Sequence, residues 1–281
     1  MIAPILIDVA GLRLSALEAR PAGPAKGLVL ALHGGGYRAG YWDYPPNSLL
    51  PMAAARGFHA VAVDRPGYGA AFDQTCGLAR QAEIVFDVID HLKRGDGDVP
   101  VLVAGHSMGG ILALMMAASA RSPAIAAVDA CGVPLAFQPA MAKALAARRP
   151  QPGQTHYDAA PASQGHMLFY GPQATFDPAV LAYDDTIAAP VPVAELPDGA
   201  AAPDTMPAVM AAITLPVRLS FAAFEGASVV DDAMVARARG WLAGSARAEV
   251  RIQPDAGHNI SLHRVGADFH RGVLNAFEAL I

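Results

Sequence analysis

Val101-Leu102-Val103-Ala104-Gly105-His106-Ser107-Met108-Gly109 joins an all-apolar run to the Ala/Met/Leu-rich stretch 108–120. The run reads as a strand covered on both faces and the stretch after it as a helix. A serine at a strand-to-helix turn needs backbone angles that leave little room around it, and a glycine two residues to either side supplies that room. Such a turn lifts the Ser107 hydroxyl clear of the fold. It also leaves the N–H of Met108 at a helix N-terminus, where the dipole favours a developing oxyanion. Residues 105–109 therefore predict a nucleophilic serine.

Outward from this turn, apolar strand-like runs alternate with helical periodicity. Strands are expected at 27–32, 60–63, 101–104, 125–128, 217–221 and 248–252, and helices at 49–56, 79–93, 108–120, 232–243 and 262–280. Ile84, Val88 and Leu92 step at helical spacing, as do Phe269, Val273 and Phe277. At the start, 5–9 and 12–19 flank Ala10-Gly11, a hairpin signal that opens the sheet antiparallel. The alternation predicts an α/β fold with a mostly parallel central sheet and helices on both faces, in which reactive groups gather beyond the carboxyl ends of the strands. Residues 134–214 break the rhythm. They hold 12 of the 23 prolines, so short helices such as 139–148 and 178–183 joined by irregular loops are expected there, and no long helix. An insertion lying over the site explains so long a stretch better than a linker, because Met167, Leu168, Phe169, Tyr170, Phe176, Val180, Leu181 and Tyr183 need burial. The expected organisation is one domain over 1–281 with 134–214 inserted as a cap between two core strands.

Composition narrows the class. With 53% hydrophobic and 16% charged residues the chain suits a well-buried enzyme, and its net charge of −5 with scattered basic residues argues against nucleic acid. The basic doublet Arg148-Arg149 reads as solvated surface. The longest apolar runs fall short of a membrane span, and the first eight residues lack the basic start and cleavage site of a signal peptide. A cytoplasmic protein is expected, with Cys76 and Cys131 as free, buried or partly buried thiols. No His-Glu-x-x-His pattern occurs, so neither a metal nor another cofactor is expected.

A serine hydroxyl needs a base, and the base needs an orienting acid. Among nine histidines, His258 in Asp255-Ala256-Gly257-His258-Asn259 follows the last strand and precedes the final helix, where a loop can carry the imidazole over the sheet edge. His106 reads as a residue packed under the turn, and His263 and His270 as one solvated face of the last helix. Glu225, just past the strand that starts near Pro216, is the favoured acid. Asp129 after an earlier strand stays open, as do Asp231 and Asp232, which also read as the N-cap and first turn of the next helix. Three glycines in His33-Gly34-Gly35-Gly36-Tyr37 leave N–H groups free to face a ligand, so Gly35 or Gly36 is expected to join Met108 as an oxyanion donor. A phosphate cradle fits poorly, since no Gly-Lys-Ser/Thr follows.

Together, Leu30-Ala31-Leu32-His33-Gly34-Gly35-Gly36, Asp64-Arg65-Pro66-Gly67-Tyr68-Gly69, residues 105–109 and Asp255-Ala256-Gly257-His258-Asn259 resemble the motifs of the α/β-hydrolase fold over almost the whole chain. The resemblance implies the order nucleophile, acid, histidine, matching Ser107, Glu225 and His258, and a cap between the strands carrying Asp129 and Glu225. It departs in using glutamate where aspartate is the commoner acid. The expected function is hydrolysis of an ester or related acyl bond in a small, largely apolar substrate through an acyl-enzyme. Acyl transfer or carbon–carbon cleavage by the same triad, or ligand binding without catalysis, are the alternatives. Arg65 and Arg218 read equally as carboxylate-binding or surface residues.

Overall fold

Short apolar runs bounded by turn residues become the strands of one eight-stranded sheet in a computed structural model that describes residues 1–159 and 161–281, with only the backbone described at 166 and 167. β1 (Ile2–Val9) and β2 (Leu12–Ala19) form the expected antiparallel hairpin. Ala10 and Gly11 close it at φ of 51° and 75°, left-handed values that match the twist of paired strands. β3 (Gly27–Leu32), β4 (Phe58–Val63), β5 (Val101–His106) and β6 (Ala127–Cys131) are buried at every position, as strands covered on both faces must be. β7 (His156–Tyr157) and β8 (Val191–Pro192) form a small separate ladder, while β9 (Val217–Phe224) and β10 (Ala248–Gly257) complete the main sheet.

The strand order is β1-β2-β4-β3-β5-β6-β9-β10, parallel from β4 onward. The chain leaves β3 for β4 on one side and then crosses to β5 on the other. That reversal opens a crevice beyond the carboxyl ends of β3 and β5, where ligands of such sheets bind.

The helices are α1 (Leu49–Ala55), α2 (Leu78–Asp96), α3 (Met108–Ala117), α4 (Pro139–Ala147), α5 (Ala162–Phe169), α6 (Ala179–Ile187), α7 (Leu196–Ala211), α8 (Asp232–Trp241) and α9 (Gly266–Glu278). Apolar faces of α2, α3, α7 and α8 form a core on one side of the sheet, and those of α1 and α9 on the other. α4 to α7 all lie between β6 and β9. In this stretch Tyr170, Phe176 and Val180 are buried, and Leu168, Phe169, Leu181 and Tyr183 half-buried; the expected burial of Met167 lies outside the described residues.

Three expectations need correction. The sixth main-sheet strand spans Ala127–Cys131, so Asp129 sits within it and not after it. The last helix begins at Gly266, after a short 3-10 turn. The proline-rich stretch does hold a long helix, α7, with Pro203 and Pro207 inside it. Each proline removes one backbone bond, but Ala202, Met206 and Met210 recur every four residues and bury one face against the α3 side of the core. Packing of that face outweighs the local propensity.

Candidate active site

The turn at Ser107 is sharp because three backbones meet there. Ser107 has φ 51° and ψ −115°, a conformation that costs a non-glycine residue about 1–3 kcal/mol and persists where the surroundings enforce it. A Cβ on Gly105 would stand 2.2 Å from the Gly109 carbonyl oxygen, and one on Gly109 2.2 Å from that of Leu32. Glycine at both positions thus lets α3 press against β3 and β5. The Ser107 N–H donates to the Cys131 carbonyl at 2.8 Å, which ties the turn to the end of β6. The first N–H groups of α3 have no acceptor within the helix.

Strand register brings the histidine and the acid together. β9 and β10 pair regularly up to Ala222 and Gln253, and then Phe224 pairs with Gly257. Two residues advance on β9 against four on β10, an irregularity that includes Asp255 at φ 54°. The next residue on each strand is Glu225 or His258. Glu225 Oε2 lies 2.9 Å from His258 Nδ1, with only 2% of the glutamate side chain exposed. A carboxylate there holds the Nδ1 proton and directs Nε2 away from itself. Gly132, at φ 64°, leaves room for the ring: a Cβ there would lie 3.1 Å from His258 Cε1.

The other acids lie elsewhere. Asp129 Oδ2 accepts from Arg218 Nη1 at 2.9 Å, and both are buried. Asp231 caps α8 by accepting from the Met234 N–H at 2.7 Å, with Asp232 exposed in the first turn. His106 is buried beneath the turn, stacked on Tyr41 with ring centroids 4.3 Å apart, and its Nε2 donates to the His258 carbonyl at 3.1 Å. Desolvation holds its pKa well below the usual histidine value.

His263 and His270 do not form a solvated face. His263 precedes α9, and its Nε2 accepts from the Gly257 N–H at 3.0 Å; His270 is enclosed by Ser261 and the Asn47 carbonyl. Burial pushes both down to about 4, so they brace the histidine loop as neutral rings.

Residues 33–36 follow β3 on the other side of Ser107. Gly35 lies against Met108: a Cβ on it would stand 3.1 Å from Met108 Cγ. The Gly36 N–H, expected to face a ligand, donates instead to the Tyr68 hydroxyl at 3.1 Å. Gly35 is the glycine of the pair whose N–H has no protein acceptor among the described residues. Arg65 and Arg218 are not on the surface and are not open to a substrate carboxylate. Arg218 meets Asp129, and Arg65 meets Glu195 at 2.6 Å with both side chains fully buried.

Ser107 and His258 line one cavity of about 220 Å³ together with Gly35 and Gly36. Phe169, Ala188, Ala189 and Val191 contribute apolar wall, and Tyr37, Tyr170 and Asp184 a polar corner. Burial raises the Asp184 carboxyl to about 6 against the opposing pull of the Tyr37 and Tyr170 hydroxyls. Among the described residues no group of three or more His, Cys, Asp or Glu is placed to hold a metal, and no helix is long and apolar enough to cross a membrane. A serine that shares a cavity with a carboxylate-oriented imidazole and with Gly35 supplies the parts needed to attack an electrophilic carbon and hold the negative charge that develops.

The model of the family described as the alpha/beta hydrolase family matches residues 28–270. Monoglyceride lipase of Mus musculus is 29% identical over 118 residues, which cover 41% of this chain and 38% of that enzyme. The magnesium-chelatase 30 kDa subunit of Rhodobacter capsulatus is 31% identical over 134 residues, 44% of each chain. The matches thus span less than half the length of these relatives. A thermostable carboxyl esterase from Bacillus coagulans superposes with a TM-score of 0.76 at 15% identity, over 99% of this chain and 98% of that one. The enol-lactonase from Burkholderia xenovorans LB400 gives 0.71 at 16% identity, over 98% and 100%. Likeness to these two structures is one of fold.

Proposed function

The chain belongs to the alpha/beta hydrolase family, and from that premise we propose that it is a serine hydrolase acting on an ester or related acyl bond of a small, largely apolar substrate. The observation that carries the reading is the 2.9 Å contact between Glu225 and His258, with His258 lining the same cavity as Ser107. His258 Nε2 takes the proton as Ser107 Oγ attacks the acyl carbon. The N–H groups of Met108 and Gly35 hold the oxyanion, and the leaving alcohol takes the proton from the imidazolium. Water, deprotonated by His258, then attacks the acyl-enzyme, and Ser107 Oγ leaves with that proton. Residues 134–214 act as a cap, because residues from α5, α6 and the β8 region wall the cavity over Ser107. The apolar wall and the modest volume support a small acyl group.

Replacing Ser107 with alanine is expected to lower kcat on short p-nitrophenyl esters by roughly 10⁴–10⁶-fold, the range spanned when single members of such a triad are removed. A fluorophosphonate should label the parent protein and not the variant. Wild-type turnover by a folded Ser107→Ala protein would overturn the mechanism.

A further inference from the structure

The motif Asp64–Gly69 has no part in the chemistry above, yet two of its side chains are fully buried beneath the loop that carries Gly35. Glu195, which ends the 3-10 turn Val193–Glu195 in the cap, is fully buried with them. We propose that Glu195, acting through Tyr68 and Arg65, is a positioning residue that sets the geometry of the oxyanion-binding loop. The inference rests on the reading of Ser107 and Gly35 given above.

Hydrogen-bond directions leave little freedom. A carboxylate can only accept, so the single proton of the Tyr68 hydroxyl goes to Glu195 Oε1 at 2.5 Å, and the Tyr68 oxygen accepts the Gly36 N–H at 3.1 Å. Glu195 Oε2 accepts from Arg65 Nη1 at 2.6 Å and from Gln81 Nε2 at 3.2 Å. Arg65 Nε donates to the His33 carbonyl at 2.9 Å, and its backbone N–H to His33 Nε2 at 3.0 Å. His33 must then carry its proton on Nδ1, which donates to the Gly34 carbonyl at 2.8 Å. Residues 33, 34 and 36 are thereby held from below, and Gly35 between them has only to point its N–H at the cavity.

Charge matters as much as position. A Cβ on Gly35 would stand 3.4 Å from Glu195 Oε1, so an uncompensated carboxylate would oppose an oxyanion at Gly35. The Arg65 guanidinium spans both carboxylate oxygens, at 2.6 and 3.3 Å, and cancels that opposition. A buried ion pair adds little to stability over an apolar substitute, whereas a fixed, satisfied one specifies geometry. Because Glu195 comes from the cap, the oxyanion site is complete only when the cap is docked.

Tyr68→Phe removes one oxygen and keeps the ring, and Glu195→Gln keeps the shape and removes the charge. Kinetics on a p-nitrophenyl ester and inhibition by phenylboronic acid, whose Ser107 adduct mimics the tetrahedral state, test both. Displacing a catalytic group by about 1 Å can cost on the order of 10²-fold. A fall in kcat of about that size is expected, with KM within about threefold and boronate affinity falling in parallel. A merely structural role would lower Tm and leave the boronate affinity of the folded protein unchanged. Should Glu195→Gln fail to fold, Tyr68→Phe decides alone. Folded Tyr68→Phe protein with wild-type kcat and boronate affinity would overturn the proposal. If Ser107→Ala is inactive in the same assays, the serine mechanism survives that failure; if it is active, both fall.

Discussion

Glu225, just past the end of β9, and Asp129, within β6, show how two carboxylates of one sheet come to differ in use. Both side chains are almost wholly buried, but Glu225 meets an imidazole and Asp129 a guanidinium. Glu225→Gln keeps a polar group near Nδ1 and loses the charge that stabilises an imidazolium. It should lower kcat by about 10³–10⁴-fold with little change in unfolding midpoint. Asp129→Asn should do the reverse. It leaves the buried Arg218 with only the half-exposed Glu249, 3.4 Å from its Nε, as counter-charge, at a cost of up to about 3–5 kcal/mol, while kcat of the folded protein stays near wild type. Steady-state kinetics and urea unfolding on both variants separate the two roles, and equal kinetic losses would refute the distinction.

Among the elements, the strand–turn–helix at Ser107 depends on glycines that face backbone, whereas the glycine in α7 faces a flexible side chain. Gly109→Ala would set a Cβ 2.2 Å from the Leu32 carbonyl oxygen, where neither β3 nor α3 can yield. Loss of folded protein or of activity is expected. Gly199→Ala on α7 would meet Met108 Sδ at 2.7 Å, the mobile end of a flexible chain. Alanine also favours a helix over glycine by up to about 1 kcal/mol. This variant should be as stable as the parent or more so, by thermal unfolding; strong destabilisation would show that Met108 cannot move. The same helix marks where local reading fails. Proline content forbids a long helix by propensity alone, and α7 forms because an apolar face built on Ala202, Met206 and Met210 has a core to enter. The irregular pairing near Pro254 was equally hidden, since alternation carries no signal of extra residues in one strand.

At the scale of the whole molecule, buried neutral histidines set the response to acid. His263 and His270 titrate near 4 in the fold against about 6.5 when unfolded. Between those values the unfolded chain binds more protons, so stability is full above about pH 7 and each ring removes up to about 1.4 kcal/mol per pH unit as the pH falls. His33 and His106, also held well below the usual value, act in the same direction. Asp184, raised to about 6 from 3.8, opposes them: its contribution is greatest in acid and is lost as pH rises from about 4 to 6. Burial raises Asp43 and Asp129 in the same sense, but the four histidines, whose unfolded rings titrate at about 6.5, outweigh these three aspartates above about pH 5. Unfolding free energy in urea should therefore be lower at about pH 5 than at about pH 7.5, and an equal or higher value at the lower pH would refute this balance.

The sequence by itself determined the alternating strands and helices, the mostly parallel sheet with its antiparallel opening, and the turn at Ser107. Each of these rests on periods and turn residues within a few positions of one another. Only the tertiary structure decided that Glu225 meets His258, that Gly36 gives its N–H to Tyr68, and that Arg65 meets Glu195. Those pairings join residues 32 to 130 positions apart. They depend on strand register and on which buried charge finds a partner, quantities that exist only once the chain has closed on itself.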